Sequence, residues 1–351
     1  ITGRGILIGA YHPESGDHLC SVWTDPVRDR RAAARFLQGA GEGEAAVWVQ
    51  DPSREHLPAH LEGNARALRA FSTRDVHLAE GYFDSERMFR FWRDRAGESQ
   101  ARNARHTRAI AEMAWALEER PGTEQAAAFE AALNTVLAPL PVSVICQYGS
   151  IRFRPELILA MLLSHPRIVI GERVFSNPFF VPGEEFASRL ALLSGDPVGA
   201  LVPIWRHFLH RLPTAGEAAA FLCNSLPMFI PVEAVTVQLQ GQPGPSVLDA
   251  LSERLEEGVP LGPPGAAWSR LFAVWPSSTG IVGGSLYTAA RGDYMTAEAT
   301  FESGRGSIVL AARGAFTPTV LMLFTALASD VGTALAGLPH RGDRQSLEPV
   351  S

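Results

Sequence analysis

The stretch of sequence that decides the fold runs from Val142 to Ile170. It begins with the apolar run Val142–Gln147 (VSVICQ), continues with Arg154–Leu163 (RPELILAMLL) and ends with Arg167–Ile170 (RIVI). Short runs of apolar, β-branched residues indicate buried strands, and a proline at the start of a longer apolar run is typical of a first helical turn. This strand–helix–strand order predicts parallel strands joined by a crossover helix.

The same alternation extends back to the start of the chain. Strands are predicted at Ile6–Ile8 and Ala45–Val49, and helices at Arg28–Gln38, Leu61–Phe71, Met88–Arg95 with Asp84 as its N-cap, Thr107–Glu119 and Glu124–Leu137 with Thr123 as its N-cap. We therefore expect an α/β fold in which helices cover both faces of a parallel sheet.

The pattern changes after Pro231. Strands are predicted at Val232–Leu239, Leu271–Trp275, Gly280–Thr288, Tyr294–Phe301 and Ser307–Ala312, with glycine-rich turns between them. A helix over Pro318–Ala336 follows, which makes this part α+β with an antiparallel sheet. A helix over Ala187–Pro203 is expected to link the two parts, and Leu209–Leu222 is expected to be largely helical.

Composition excludes several classes of function. The chain has 351 residues, 46% of them hydrophobic, a net charge of −6, and no lysine among its 31 basic residues. A Walker-type nucleotide loop and Schiff-base chemistry both need lysine, so neither is expected. The charge gives no basic surface for nucleic acid. We expect no membrane span and no signal peptide, and three widely spaced cysteines favour a reducing cytoplasm.

Candidate chemistry is confined to a few residues. The sequence contains no G-x-S-x-G, H-E-x-x-H or C-x-x-C motif, and we do not expect an enzyme. His18 and Cys20 would point to one face of an extended segment, where they are either metal or haem ligands or buried core residues. Glu112 is predicted on an apolar helix, and Glu130 and Asn134 share a helical face, so these polar groups either anchor a ligand or organise the core.

Several short motifs together resemble a known family. They are GDHLC at 16–20, GYFD at 81–84, EMAWAL at 112–117, FEAALN at 129–134, CQY at 146–148, SHP at 164–166 and NPFFVP at 177–182. In this order and spacing, residues 10–190 resemble the MEDS (methanogen/methylotroph, DcmR-type sensory) domain. The resemblance implies a non-enzymatic sensor of small organic compounds such as hydrocarbon derivatives. It also implies a degenerate RecA/KaiC-like fold without a nucleotide loop. Ala111 and Gly149 depart from the family pattern, which often has glycine and aspartate there.

The same resemblance supplies the candidate ligand-binding residues, which are Glu112, Trp115, Glu130, Asn134, Cys146, Tyr148, Arg152 and His165. The C-terminal part is similar to a GAF domain, chiefly through Gly306–Arg313 and Phe316. Its aromatic residues either line a pocket or belong to the core; they are Trp268, Trp275, Tyr287, Tyr294 and Phe301. The expected organisation is a MEDS-like domain at 1–190, a helical linker at 191–203, a GAF-like domain at 204–337 and a disordered tail at 338–351.

The sequence therefore predicts a cytoplasmic sensory protein of signal transduction, of the kind used in transcription regulation or two-component systems. It would bind a small organic ligand without a cofactor. We expect a homodimer that signals through a regulatory partner protein or a further output domain. The alternative is a metal, haem or redox sensor that uses His18, Cys20, Cys146 and His165. Two further hypotheses remain. The protein is either an enzyme that uses Glu112 or Glu130, or a partner-binding scaffold with vestigial pockets.

Overall fold

A computed structural model provides the structure of the chain. It describes residues 5–23, 26–51, 68–149, 153–213, 217–218, 221, 225, 234–239, 284–291, 294–301, 306–313 and 330. The chain divides into two compact units, Ile1–Leu201 and Val202–Ser351. Among the residues described, no helix is long and apolar enough to cross a membrane.

The first unit is built on an eight-stranded sheet in the order β1-β8-β7-β2-β6-β5-β3-β4. The strands are β1 (Ile6–Leu7), β2 (His18–Trp23), β3 (Glu44–Gln50), β4 (Leu68–Ser72), β5 (His106–Glu112), β6 (Val142–Gly149), β7 (Arg167–Ile170) and β8 (Arg173–Ser176). All pairings from β7 to β4 are parallel, whereas β8 pairs antiparallel with both β7 and β1.

The predicted parallel sheet is therefore a mixed sheet, and the reason is local. Only Gly171 and Glu172 separate β7 from β8, and Gly171 has a φ of 60°. A two-residue link joins antiparallel strands only, because parallel strands need a long crossover. Glycine adopts this left-handed backbone conformation without the steric penalty of a Cβ atom.

Helices cover both faces of this sheet, as the sequence predicts. They are α1 (Pro26–Gln38), the single turn α2 (Thr73–Val76), α3 (Ser85–Ala101), α4 (Ala126–Leu137), α5 (Pro155–Ser164) and α6 (Gly183–Leu193). A further helix, α7 (Pro197–Leu209), runs across the division between the two units at Leu201. On one face, α1 packs in a core cluster with Leu19, Ile110 and Ile145. Side chains of alternate strand residues point to the opposite face, where α4 and α5 contact each other.

The prediction of a helix over Thr107–Glu119 is wrong. Residues 106–112 form strand β5, which is buried along its whole length, and a short 3-10 turn follows at Ala114–Leu117. A central parallel strand is buried on both faces and reads as a continuous apolar run without the alternation of an exposed strand. Because the apolar run lacks alternation, its length and its alanine residues favoured a helix in the sequence-based prediction.

Two other helix predictions also need correction. The helix predicted at Leu61–Phe71 overlaps strand β4, although residues 61–67 lie outside the described part. The helix predicted at Ala187–Pro203 is two helices, α6 and α7. The Asp196 carboxylate accepts a hydrogen bond from Gly199 N at 2.9 Å, which caps the start of α7 and separates it from α6. The Asp84 cap is confirmed, since its carboxylate accepts from Arg87 N at 2.7 Å.

In the second unit, four strands form an antiparallel sheet in the order β10-β11-β12-β9. They are β9 (Ala234–Leu239), β10 (Gly284–Arg291), β11 (Tyr294–Phe301) and β12 (Gly306–Arg313). The prediction of an antiparallel sheet is confirmed for these strands. The strand predicted at 271–275, most of the helix predicted at 318–336, the tail and the two tryptophans of the candidate pocket lie outside the described residues.

Candidate functional site

Four side chains from distant parts of the chain meet on the face of the sheet that α4 and α5 cover. They are His18 at the start of β2, Cys146 in β6, Glu130 in α4 and His165 directly after α5. Their potential ligand atoms all lie within 4.8 Å of one another, and each residue is at most 1% exposed. Histidine, glutamate and cysteine all ligate transition metals.

The distances within this cluster suit a tetrahedral metal ion. His18 Nε2 lies 3.0 Å from Glu130 Oε2 and 3.4 Å from Cys146 Sγ, and His165 Nε2 lies 3.3 Å from Glu130 Oε2. Bonds of about 2.0–2.3 Å to a tetrahedral zinc ion place neighbouring ligand atoms roughly 3.3–3.8 Å apart. The side chains therefore need to move only slightly to bind one ion.

Backbone contacts orient His165 toward the cluster. Its Nδ1 lies 2.6 Å from the carbonyl oxygen of Met161, which can only accept a hydrogen bond. Nδ1 therefore carries a proton, and Nε2 is the nitrogen that faces Glu130. Asn177 holds this segment from the other side, because its side-chain amide donates to the carbonyl oxygens of His165 at 2.7 Å and Leu162 at 2.6 Å.

Burial and Glu130 dominate the electrostatics of the cluster. Burial alone would raise the pKa of Glu130, but contacts with His165 and His18 hold that pKa well below its usual range. Burial, followed by the negative charge of Glu130, raises the pKa of both Cys20 and Cys146 well above the ordinary value of a thiol. Burial and the neighbouring His18 lower the pKa of His165. The carboxylate is thus ionised while the thiols keep their protons.

Tyr148 lies beside the cluster and has an unsatisfied hydroxyl group. The residue is 1% exposed, its ring contacts that of His165 edge to face at a centroid distance of 6.1 Å, and its hydroxyl has no hydrogen-bond partner among the described residues. Burial, followed by the charge of Glu130, raises the pKa of Tyr148 well above its ordinary value. The neutral hydroxyl is therefore a hydrogen-bond donor close to Glu130.

The structure brings together most, but not all, of the residues predicted from the sequence. Glu130, Cys146 and His165 meet with His18, and Asn134 and Tyr148 adjoin them. Cys20 is the register partner of Cys146 on the neighbouring strand, but it does not belong to the group of ligand atoms. Arg152 lies outside the described residues.

Glu112 and Trp115 are not among the residues whose side chains meet in the cluster. Glu112 alternates with Ala111 and so shares the α1 face of β5 with Ile110, and its carboxylate accepts from Asp51 N at 3.0 Å. Trp115 stacks between His77 and Phe83, at ring-centroid distances of 4.7 Å and 4.3 Å. Sequence reasoning missed His77, whose pKa burial lowers to about 3, because nothing in its neighbourhood along the chain marks it.

A separate surface cavity of about 770 Å³ lies near the amino end of β3. It is lined by residues that include Arg69, Arg95 and Glu98, and by none of the candidate ligand-binding residues. Glu98 pairs with both arginines. The cavity is therefore a polar surface feature that is distinct from the buried cluster.

Comparison with protein-family models identifies a match to part of the chain. The family model of the MEDS domain, described as the methanogen/methylotroph, DcmR sensory domain, matches residues 17–166. The matched segment contains His18, Glu130, Cys146 and His165. A search of curated proteins found no match to the chain.

Proposed function

Because residues 17–166 match a family of sensory domains, we propose that this segment detects its signal at a transition-metal ion. The proposed ligands are His18, Glu130, Cys146 and His165. The match supports the sensory role, and the geometry of the buried cluster supports the metal. Binding would stabilise one arrangement of α4, α5 and the sheet, and such a population shift would carry the signal.

One observation carries this proposal. Both carboxylate oxygens of Glu130 and the Nε2 atom of His165 are buried without a hydrogen bond of good geometry to any described residue. An ionised carboxylate is costly to bury unless a cation or hydrogen bonds compensate it. A metal ion between these atoms supplies that compensation, and the distances given above leave room for it.

The donor set also restricts which ion fits. Two imidazoles, a thiolate and one carboxylate suit zinc and other first-row divalent ions, whereas magnesium and calcium require oxygen ligands. Four protein ligands fill a tetrahedral shell. A haem held between His18 and His165 does not fit, because the centroids of their rings are only 3.9 Å apart and leave no space for a porphyrin between them.

A thiol-based redox sensor has less support. Oxidants attack the thiolate, and burial raises the pKa of both Cys20 and Cys146 well above its ordinary value. Both thiols are also at most 1% exposed. Metal binding, which itself deprotonates a coordinating thiol, is the chemistry that this environment favours for Cys146.

A small organic ligand is the second candidate, and Tyr148 is the observation that favours it. Its buried, unsatisfied hydroxyl beside Glu130 is the kind of polar anchor that small-molecule sites use. For either ligand, we propose that the protein is a non-enzymatic protein of the cytoplasm. It would act as a homodimer and signal through a partner protein or a further domain.

The test measures metal binding by the full chain. Metal content and native mass are determined first, and Co²⁺ is then titrated into chelator-treated protein while the visible spectrum is recorded. We expect one ion per chain, a spectrum that includes thiolate-to-cobalt charge transfer, and strong loss of binding in Glu130→Gln. Glu112→Gln is the matched control, because Glu112 is also a buried carboxylate but lies outside the cluster.

The outcomes separate the candidates. Equal Co²⁺ binding by Glu130→Gln and the wild type, or no binding by the wild type, contradicts the metal proposal. A native mass excess that persists after chelator treatment and disappears in Tyr148→Phe supports the organic ligand instead.

A further inference from the structure

The side-chain amide of Asn134 connects the two histidines of the cluster. Its Oδ1 lies 3.1 Å from Nδ1 of His18, and its Nδ2 donates to the carbonyl oxygen of Ser164 at 2.7 Å. Ser164 directly precedes His165. Asn134 lies one helical turn after Glu130 in α4, so a single helix carries both a proposed ligand and this amide.

Hydrogen bonding fixes the direction in which the amide points. Nδ2 also donates to the carbonyl oxygens of Glu130 at 3.3 Å and Ala131 at 3.2 Å. All of its contacts are therefore carbonyl acceptors, and a rotated amide would place Oδ1 against those oxygens with no proton between them. Oδ1 must face His18.

This direction places a proton on Nδ1 of His18. An amide oxygen only accepts, so Nδ1 of His18 donates to Asn134, and Nε2 is the nitrogen that can bind a metal ion once it gives up any proton that it shares with Glu130. Nε2 is the atom that lies 3.0 Å from Glu130 Oε2 and 3.4 Å from Cys146 Sγ. Met161 holds a proton on Nδ1 of His165 in the same way, so the two Nε2 atoms converge on one carboxylate oxygen, where a metal ion can bind both.

We infer that Asn134 is the positioning residue of the metal centre. It selects the metal-binding tautomer of His18 and ties the segment that carries His165 to α4. This inference rests on the metal function proposed above, but the hydrogen bond from Nδ1 of His18 to Asn134 is a property of the metal-free protein. Partners of this kind, which hydrogen-bond the ring nitrogen opposite the metal, typically change metal affinity by about 10–100-fold when they are removed.

The experiment compares the full-length wild type with Asn134→Ala and Asn134→Asp. In metal-free protein labelled with ¹⁵N-histidine, the ring nitrogen shifts of His18 are measured above pH 8. We expect Nδ1 to be protonated in the wild type and to lose its proton in Asn134→Ala, where only Nε2 still has an acceptor, Glu130. Asn134→Asp keeps an oxygen acceptor for His18 and should retain the Nδ1 proton, although it loses the hydrogen bond to Ser164. Circular dichroism verifies the fold of each variant, and the wild-type spectrum tests the proposal even if both variants fold poorly.

Co²⁺ affinity provides the second readout on the same proteins. We expect Asn134→Ala to bind about 10–100-fold more weakly with an altered visible spectrum, and Asn134→Asp to lie between it and the wild type. A residue that only ties helices together would lower the melting temperature and leave the tautomer, spectrum and affinity unchanged.

The two proposals fail in different ways. A wild-type His18 without a proton on Nδ1, or a proton retained on Nδ1 in a folded Asn134→Ala, overturns the role of Asn134 even if metal binds. Absence of Co²⁺ binding with the expected tautomers overturns the metal function, and with it the positioning role, while leaving the hydrogen-bond analysis of His18 intact.

Discussion

Replacing Cys146 by serine tests the proposed ligand set most directly. Cys20 supplies the matched control, since it is also fully buried, lies opposite Cys146 in register on the neighbouring strand, and is excluded from the cluster by its position. Structural zinc sites bind with about 10–16 kcal/mol, so an equal share for each of four ligands is about 2.5–4 kcal/mol. We therefore expect Cys146→Ser to weaken binding by about 10²–10³-fold and Cys20→Ser to change it only a few-fold.

The same loss should appear as reduced thermal stabilisation. At an ion concentration about 100 times the wild-type Kd, binding stabilises the folded state by about 2.7 kcal/mol, and a 100-fold weaker site retains about 0.4 kcal/mol. For a unit of about 200 residues, this difference corresponds to roughly 5–9 °C in melting temperature. Competition titration with a chromophoric chelator and thermal melts with and without Zn²⁺ measure both effects. Equal losses in the two serine variants would refute the assignment, because they would indicate that packing between the strands, and not ligation, sets the affinity.

Three further predictions concern the scaffold. Burial alone would raise the pKa of Glu44, but the ion pair with the buried Arg108 lowers that pKa overall. This ion pair therefore stabilises the folded state at neutral pH, and the stabilisation is lost as acidification below about pH 4.3 protonates Glu44. Glu44→Gln should lower the free energy of unfolding by about 2 kcal/mol at pH 7 and reduce the loss of that free energy on acidification, as measured by urea unfolding at several pH values. An unchanged loss on acidification would contradict the pairing. Gly122→Ala should cost about 1–3 kcal/mol by urea unfolding, because Gly122 has a φ of 88° and a Cβ would collide with the Phe83 carbonyl; a neutral effect would disprove this clash. Trp115→Ala should cost about 3–5 kcal/mol without changing Co²⁺ affinity, and altered affinity in folded protein would place Trp115 at the site.

The sequence predicted the parts of the fold that local patterns encode. The strand–helix–strand unit from Val142 to Ile170 and the Asp84 cap have local signals, namely β-branched runs and a capping side chain. Strand β5 was misread, because its apolar run is set by burial on both faces of the sheet. The antiparallel strand β8 was missed, since four residues after a two-residue turn carry too little periodicity to be recognised.

The members of the cluster were named from the sequence, but their grouping was not. Glu130 and Asn134 were predicted to share a helical face, which the structure confirms, yet Cys20 was placed with the metal ligands instead of Glu130. Spacing along a strand placed His18 and Cys20 on one face. This spacing did not indicate that α4 would bring the carboxylate of Glu130 next to His18. That contact depends on how a helix more than 100 residues away in sequence packs on the sheet.

That separation in sequence has a consequence for the order of folding. His18 and Cys146 are 128 positions apart, and they meet only when β2 has paired with β6, a pairing that closes a loop containing β3, β4 and β5. Contacts of such long range form late, because the chain must first close very large loops. An ion at this centre therefore has little to bind in the folding transition state. It would slow unfolding while leaving the folding rate nearly unchanged, in contrast to small zinc domains that fold around their metal.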